Sequence, residues 1–267
     1  MTFSFVLTMC AMSSGQSIHW LVFVDTTSPD VGSVDVVGQR ILFNKFINPV
    51  NEALAGKGYK TVIHRFVGKQ CTPHNCKKAV EELSCESRDI VLFYYIGHGE
   101  RPLASIEYNK NNPWPQFKLA QDNADLSIPM HWVHQRLKSK GARLTVTIGM
   151  CCNTPTPFAK RKDSPEFLSS KYRTISKTFA KRIQKLFLNN RGDIEISSAS
   201  FNQRSYTYDF PDYGEIDAFT GVLTRVFQNY SITEQQPTWS SFLQEIKSGC
   251  SQLTYNSQIP FYRINLK

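Results

Sequence analysis

The sequence predicts an α/β domain built on a mostly parallel sheet. Three observations carry that expectation. Short apolar, β-prone runs recur along the 267 residues, helix-patterned segments lie between them, and the spacing lets each helix return the chain to a parallel neighbour.

The first run, Ile18 to Asp25 (IHWLVFVD), is continuously apolar and ends in turn residues, as a strand buried on both faces does. Tyr59 to Phe66, Asp89 to Ile96 (DIVLFYYI), Leu144 to Gly149 (LTVTIG) and Asp193 to Ser198 (DIEISS) repeat the pattern. Between the first two runs, Val34 to Ala55 places Val34, Val37, Ile41 and Leu42 at helical spacing before Pro49 disturbs it, and Gly56 and Gly58 close it. Thr72 to Leu83 opens with a Thr cap and a Pro in the first turn. Ser127 to Leu137 uses Ser127 and Pro129 in the same way and is followed by Gly141. Thr174 to Leu188 gathers Ile175, Phe179, Ile183, Leu186 and Phe187 on one helical face. Thr238 to Lys247 does likewise with Trp239, Phe242, Leu243 and Ile246, and Gly249 is its expected end. Two segments, Glu100 to Leu126 and Thr154 to Arg173, read as long polar loops, which in a compact domain carry function or disorder.

Composition bounds the function classes. With 41% hydrophobic and 20% charged residues the chain belongs with ordinary globular proteins rather than disordered ones. Its net charge of +9 is concentrated between Thr154 and Asn190, where nine basic residues face Asp163 and Glu166. Such a segment reads as a solvated face, so no specific nucleic-acid partner is expected. Phe3 to Met12 is an apolar run of signal-peptide length followed by Ser13-Ser14-Gly15-Gln16, although no Lys or Arg precedes it. Residues 1–16 are accordingly read as a signal peptide and 17–267 as one domain, exported to the periplasm or the cell exterior if the leader is cut and cytoplasmic otherwise. No other run approaches the roughly 18 apolar residues of a membrane span. Of seven cysteines, Cys71 and Cys76 could pair if exported. The oligomeric state is left open.

Parallel sheets gather their chemistry at the carboxyl ends of the strands. One run leads into Gly97-His98-Gly99, where the two glycines permit a sharp turn and a close approach of backbone N–H groups to a bound carbonyl. Another leads into Met150-Cys151-Cys152-Asn153. A thiol must lose its proton to attack, and a neighbouring imidazole can take that proton and return it to a leaving amine.

These blocks resemble the caspase and metacaspase group of cysteine peptidases, and within it the bacterial caspase-like proteins. FYYIGHG is similar to the strand leading into that family's histidine. Met150-Cys151-Cys152-Asn153-Thr154 is similar to its nucleophile motif, 54 residues downstream of the histidine. Asp193 to Tyr206 resembles one wall of its substrate groove, Asp217-Ala218-Phe219-Thr220-Gly221 the start of the following helix, and Gln258-Ile259-Pro260 the approach to its C-terminal strand. The resemblance implies a caspase-like three-layer α/β/α sandwich with a mostly parallel six-stranded sheet. It implies a cysteine endopeptidase acting on protein or peptide substrates, with His98 and Cys152 catalytic and the backbone N–H groups of Gly99 and Cys152 forming the oxyanion hole. Asp25, Met150, Ser198 and Ser200 would bind substrate. No cofactor is required; calcium enters by family resemblance alone.

The chain departs from the family at Met150, where metacaspases carry an acidic residue and caspases a Gln. A basic residue before the scissile bond (P1) is slightly favoured through Asp25, which could equally be a turn carboxylate. The alternative to an enzyme is a catalytically inactive caspase-like binding module. His131 and His134, three apart on one helix, could bind a metal or form a solvated edge. Trp114 reads as a loop anchor.

Overall fold

A computed structural model describes residues 15–101, 112–119, 127–155, 176–230 and 236–267. The expected signal peptide, apart from its last two residues, lies outside them, as does the basic stretch from Lys160 to Arg173.

The sequence runs become strands β1 (Ser17–Val24), β2 (Lys60–Val67), β3 (Ile90–Ile96), β7 (Leu144–Met150) and β8 (Gly192–Ser197). Together with β11 (Phe261–Leu266) they form one six-stranded sheet in the order β11-β8-β7-β3-β1-β2. Every pairing is parallel except β11 with β8. Alternate residues face opposite layers, so the continuously apolar strands feed two cores. On one face Trp20, Leu92, Val146 and Ile194 pack against α1 (Gly32–Leu42), α2 (Asn48–Ala55), α5 (Lys177–Leu188), α6 (Ala218–Asn229) and α7 (Trp239–Leu253). On the other, Leu21, Phe23, Phe93 and Tyr95 pack against α3 (Pro73–Glu82) and α4 (Met130–Lys138). The result is the expected three-layer α/β/α sandwich.

Several boundaries differ from the sequence reading for identifiable reasons. Pro49 does not end the first helix, because a π-helical turn at Phe43–Ile47 precedes it and leaves Pro49 in the first turn of α2, where its missing N–H costs little. Ser176 caps α5 through the Phe179 N–H, so the helix begins at Lys177, three residues beyond the expected Thr174, which lies outside the described residues. Gly249 does not stop α7; the helix runs on to Leu253, and Gly249 sits where a Cβ would fall 2.7 Å from Val222. Pro129 belongs to a short strand, β6 (Ile128–Pro129), that pairs through β5 (Gln116–Phe117) with β4 (Gly99–Glu100). A hairpin of β9 (Thr207–Phe210) and β10 (Gly214–Asp217) leads into α6, whose N-terminus Asp217 caps through the Thr220 N–H at 2.6 Å. Cys71 and Cys76 are buried in the smaller core with no disulfide between them. No helix among the described residues is long and apolar enough to cross a membrane.

Candidate active site

Strand register builds the site. Ile96 and Met150 are paired ends of the neighbouring strands β3 and β7, and His98 and Cys152 each lie two residues beyond that pair. Gly97 has φ +155°, and a Cβ there would meet Tyr95 Oη at 2.6 Å and Asp25 Cβ at 2.9 Å. At Gly99 a Cβ would stand 2.4 Å from both Cys151 Sγ and the Cys152 carbonyl oxygen. Gly99 therefore lets the histidine segment pack directly onto the cysteine segment, while Gly97 lets it turn past Tyr95 and Asp25, and a side chain at either would clash.

His98 is 22% exposed through its side chain, and its Nε2 lies 2.9 Å from Asp30 Oδ1. Burial pushes the Asp30 carboxyl up, but the hydrogen bond and charge of His98 outweigh it and hold the group below its ordinary value. Cys152 is only 3% exposed. Burial raises its thiol, a nearby Asp30 adds to that, and the Ser205 N–H, 3.4 Å from Sγ, together with the Arg204 charge, works the other way. The balance favours the neutral thiol. Cys151 lies deeper, and burial and its neighbour Cys152 raise it well above the ordinary thiol range.

The residues expected to bind substrate are near the thiol yet engaged with the protein. Asp25 Oδ1 accepts from Thr27 N at 3.0 Å, Thr27 Oγ1 at 3.0 Å and Ser28 N at 3.2 Å, and Oδ2 accepts from Ser28 Oγ. Asp25 therefore serves as a turn carboxylate at the end of β1. The Met150 side chain falls on the face of β7 that packs into the larger core, with Ser205 Oγ 4.0 Å from Sδ. Ser198 Oγ bridges the Cys151 N–H and carbonyl, each at 3.1 Å, and lies 2.9 Å from Ser205 Oγ. Ser200 donates to the Ile259 carbonyl at 2.6 Å. These hydroxyls therefore fix the segment that covers Cys152. Gln258 completes the arrangement by accepting from Tyr206 N at 2.8 Å and donating to the Ser198 carbonyl at 3.0 Å.

Sequence reasoning missed four residues around the thiol. Asp30 contacts His98 as described. Asn153 is buried and donates to the Pro113 carbonyl at 2.8 Å, while its Oδ1 accepts from Arg101 Nε at 3.0 Å and a terminal guanidinium nitrogen at 2.7 Å. Arg101 reaches the Trp114 carbonyl at 2.9 Å and stacks over Phe201 at 4.9 Å. Trp114 is the anchor expected, 5.0 Å from the Phe261 ring. Asp35 is buried, and its Oδ2 has no hydrogen-bond partner among the described residues. Burial, then the charges of Asp217, Asp25 and Asp30, push its carboxyl well above the ordinary range, and burial takes Asp217 up to about 6. The one local signal for this group was an Asp at a buried position of a mostly apolar helix face.

His131 and His134 form neither a metal site nor a solvated edge. His131 Nδ1 lies 3.0 Å from Glu195 Oε2, and His134 bonds Asp193 and Thr147, each at 3.0 Å. No group of three or more His, Cys, Asp or Glu among the described residues is arranged to hold a metal ion.

Comparison with known proteins supports the architecture. The chain matches the crystal structure of protein GSU0716 from Geobacter sulfurreducens with a TM-score of 0.50, covering 93% of this chain and 92% of that one at 17% identity. At that identity the likeness concerns the fold alone. No family model matches the chain, and no curated protein sequence matches it.

Proposed function

We propose that the protein is a cysteine endopeptidase that hydrolyses peptide bonds through His98 and Cys152. One observation carries the reading: the β3–β7 register sets an imidazole and a thiol at equivalent positions past adjacent strand ends, with Gly99 packed on the cysteine segment. In this mechanism His98 withdraws the Cys152 proton, the sulfur attacks the scissile carbonyl, and the N–H groups of Gly99 and Cys152 stabilise the oxyanion. His98 returns the proton to the leaving amine, and water then releases the acyl group. The raised thiol fits a route in which the base acts at the moment of attack rather than one starting from a standing thiolate.

The carboxylates around α1 favour a cationic P1 side chain. Asp35 carries an unpartnered, buried oxygen in a field shared with Asp30 and Asp217, and an Arg or Lys side chain would neutralise that field.

A positional peptide library on the purified protein tests both statements. Cleavage after Arg or Lys is expected. Cys152→Ala should abolish it, Cys151→Ala should leave most of it, and His98→Ala should cost about 10²–10⁴-fold. Equal loss in both cysteine variants would overturn the nucleophile assignment, and a preference for Asp at P1 would reject the cationic pocket. A second reading, an inactive binding module, is favoured by the cover that Ser205 places over the thiol. Iodoacetamide decides between them: labelling of Cys152 that is fast and pH-sensitive supports the peptidase, and labelling only after unfolding supports the module.

A further inference from the structure

We infer that Asp30 is a positioning residue for this site, holding His98 in the tautomer and orientation that present a proton acceptor to Cys152. The inference rests on the peptidase reading and adds a third member to the pair.

The loop between β1 and α1 carries Asp30, and that loop is tightly held. Asp25 receives the hydrogen bonds of Thr27 and Ser28 at its start. Gly32 N donates to the Ser28 carbonyl at 2.8 Å, and a Cβ at Gly32 would lie 2.6 Å from the Thr26 carbonyl oxygen. The Asp30 carboxylate is thus delivered from a short, braced turn to a point 2.9 Å from His98 Nε2. A carboxylate accepts and cannot donate, so a neutral imidazole facing it carries its hydrogen on Nε2 and its lone pair on Nδ1. When the ring takes the thiol proton, the same carboxylate stabilises the imidazolium.

The charge of Asp30 has an opposite effect on Cys152 taken alone, because a nearby anion disfavours the thiolate. Removing the carboxylate would speed the reaction if Asp30 acted only through the sulfur, and slow it if Asp30 acts through His98. The sign of the change therefore separates the two routes. At 53% exposure the Asp30 side chain is screened by water, which makes the effect smaller than that of a buried triad carboxylate.

The test compares Asp30→Asn, Asp30→Ala and Asp30→Glu in the full chain. Expected in the Asn and Ala variants is a kcat lower by about tenfold to a hundredfold with KM within about twofold, and substantial recovery in the Glu variant. The ¹⁵N spectrum of the ring gives an independent signature. Wild type should show His98 protonated on Nε2, and Asp30→Ala should show mixed tautomers. An unchanged or raised kcat, a loss confined to KM, or an unchanged tautomer would overturn the inference. The peptidase reading fails separately: a wild type that cleaves no peptide yet shows the tautomer change on Asp30→Ala removes the catalytic role and leaves the Asp30–His98 coupling standing.

Discussion

Asn153, immediately after Cys152, shows how much of the site depends on one buried amide. Its side chain receives the Arg101 guanidinium, donates to the Pro113 and Ala199 carbonyls, and its backbone exchanges hydrogen bonds with Gln203 and Asn202. Asn153→Ala would remove two hydrogen bonds from the buried Arg101 guanidinium together with those to the Pro113 and Ala199 carbonyls, and we expect a loss of about 2–4 kcal/mol in urea unfolding. Adding Arg101→Met should cost less than the sum of the single changes, because the two side chains share two hydrogen bonds that either substitution removes. Additive losses would show that the two residues act independently. His98 and Cys152 were legible in the sequence because each follows an apolar strand and stands in a distinctive local block. Asp30, Arg101 and the role of Asn153 were not, since their partners lie 68 residues away for Asp30 and 52 residues away for the Arg101–Asn153 pair, and nothing local encodes the meeting. Asp25 shows the converse: its position at a strand end suggested a pocket, while the donors that occupy it are its own next neighbours.

At the scale of an element, α4 is unusual in docking on the sheet through charge. Its His131, His134 and Lys138 face Asp193 and Glu195 of β8, with Arg263 and Asn265 contributed by β11 and Thr147 by β7. Burial is the main cause that lifts Glu195, to about 8, with Asp193 adding and Arg263 and Lys138 opposing; burial also lowers His131. Both shifts favour an uncharged pair sharing one proton. A carboxyl whose folded value lies above its unfolded value contributes stability that is complete below the unfolded value near 4.5 and is lost as pH rises through about 8. Glu195→Gln keeps the shape without the ionisation. Relative to wild type its Tm should therefore improve progressively between pH 5 and pH 8, and a constant difference across that range would show that Glu195 does not titrate in the fold. The strand itself was readable from DIEISS, which repeats the pattern of a strand buried on both faces, and β8 is buried along most of its length. What the pattern could not show is that a helix of opposite charge covers it.

At the scale of the whole molecule, sheet order decides what a cut in the chain would do. β7 ends two residues before Cys152 and β8 is its hydrogen-bonded parallel neighbour, so the long connection between them leaves and re-enters one sheet. That connection carries Lys160, Arg161, Lys162, Lys171 and Arg173, in residues outside those described, a short distance in sequence from Cys152. A peptidase with a cationic P1 preference would bear its own preferred residues beside its own site, and cleavage between Lys160 and Arg173 is the expected consequence. The fragments should stay together. The β7–β8 ladder remains, Gln184 of α5 still donates to the Ala53 carbonyl at 2.7 Å, and the larger core is built from residues on both sides of the cut. Intact-mass analysis after incubation should show two fragments in the wild type and none in Cys152→Ala, and size-exclusion chromatography should return the cut protein at the position of the uncut one. A wild type that digests external peptides while its own mass stays unchanged would sink the self-processing prediction, and fragments that separate on the column would show that the ladder and the shared core do not hold the halves together.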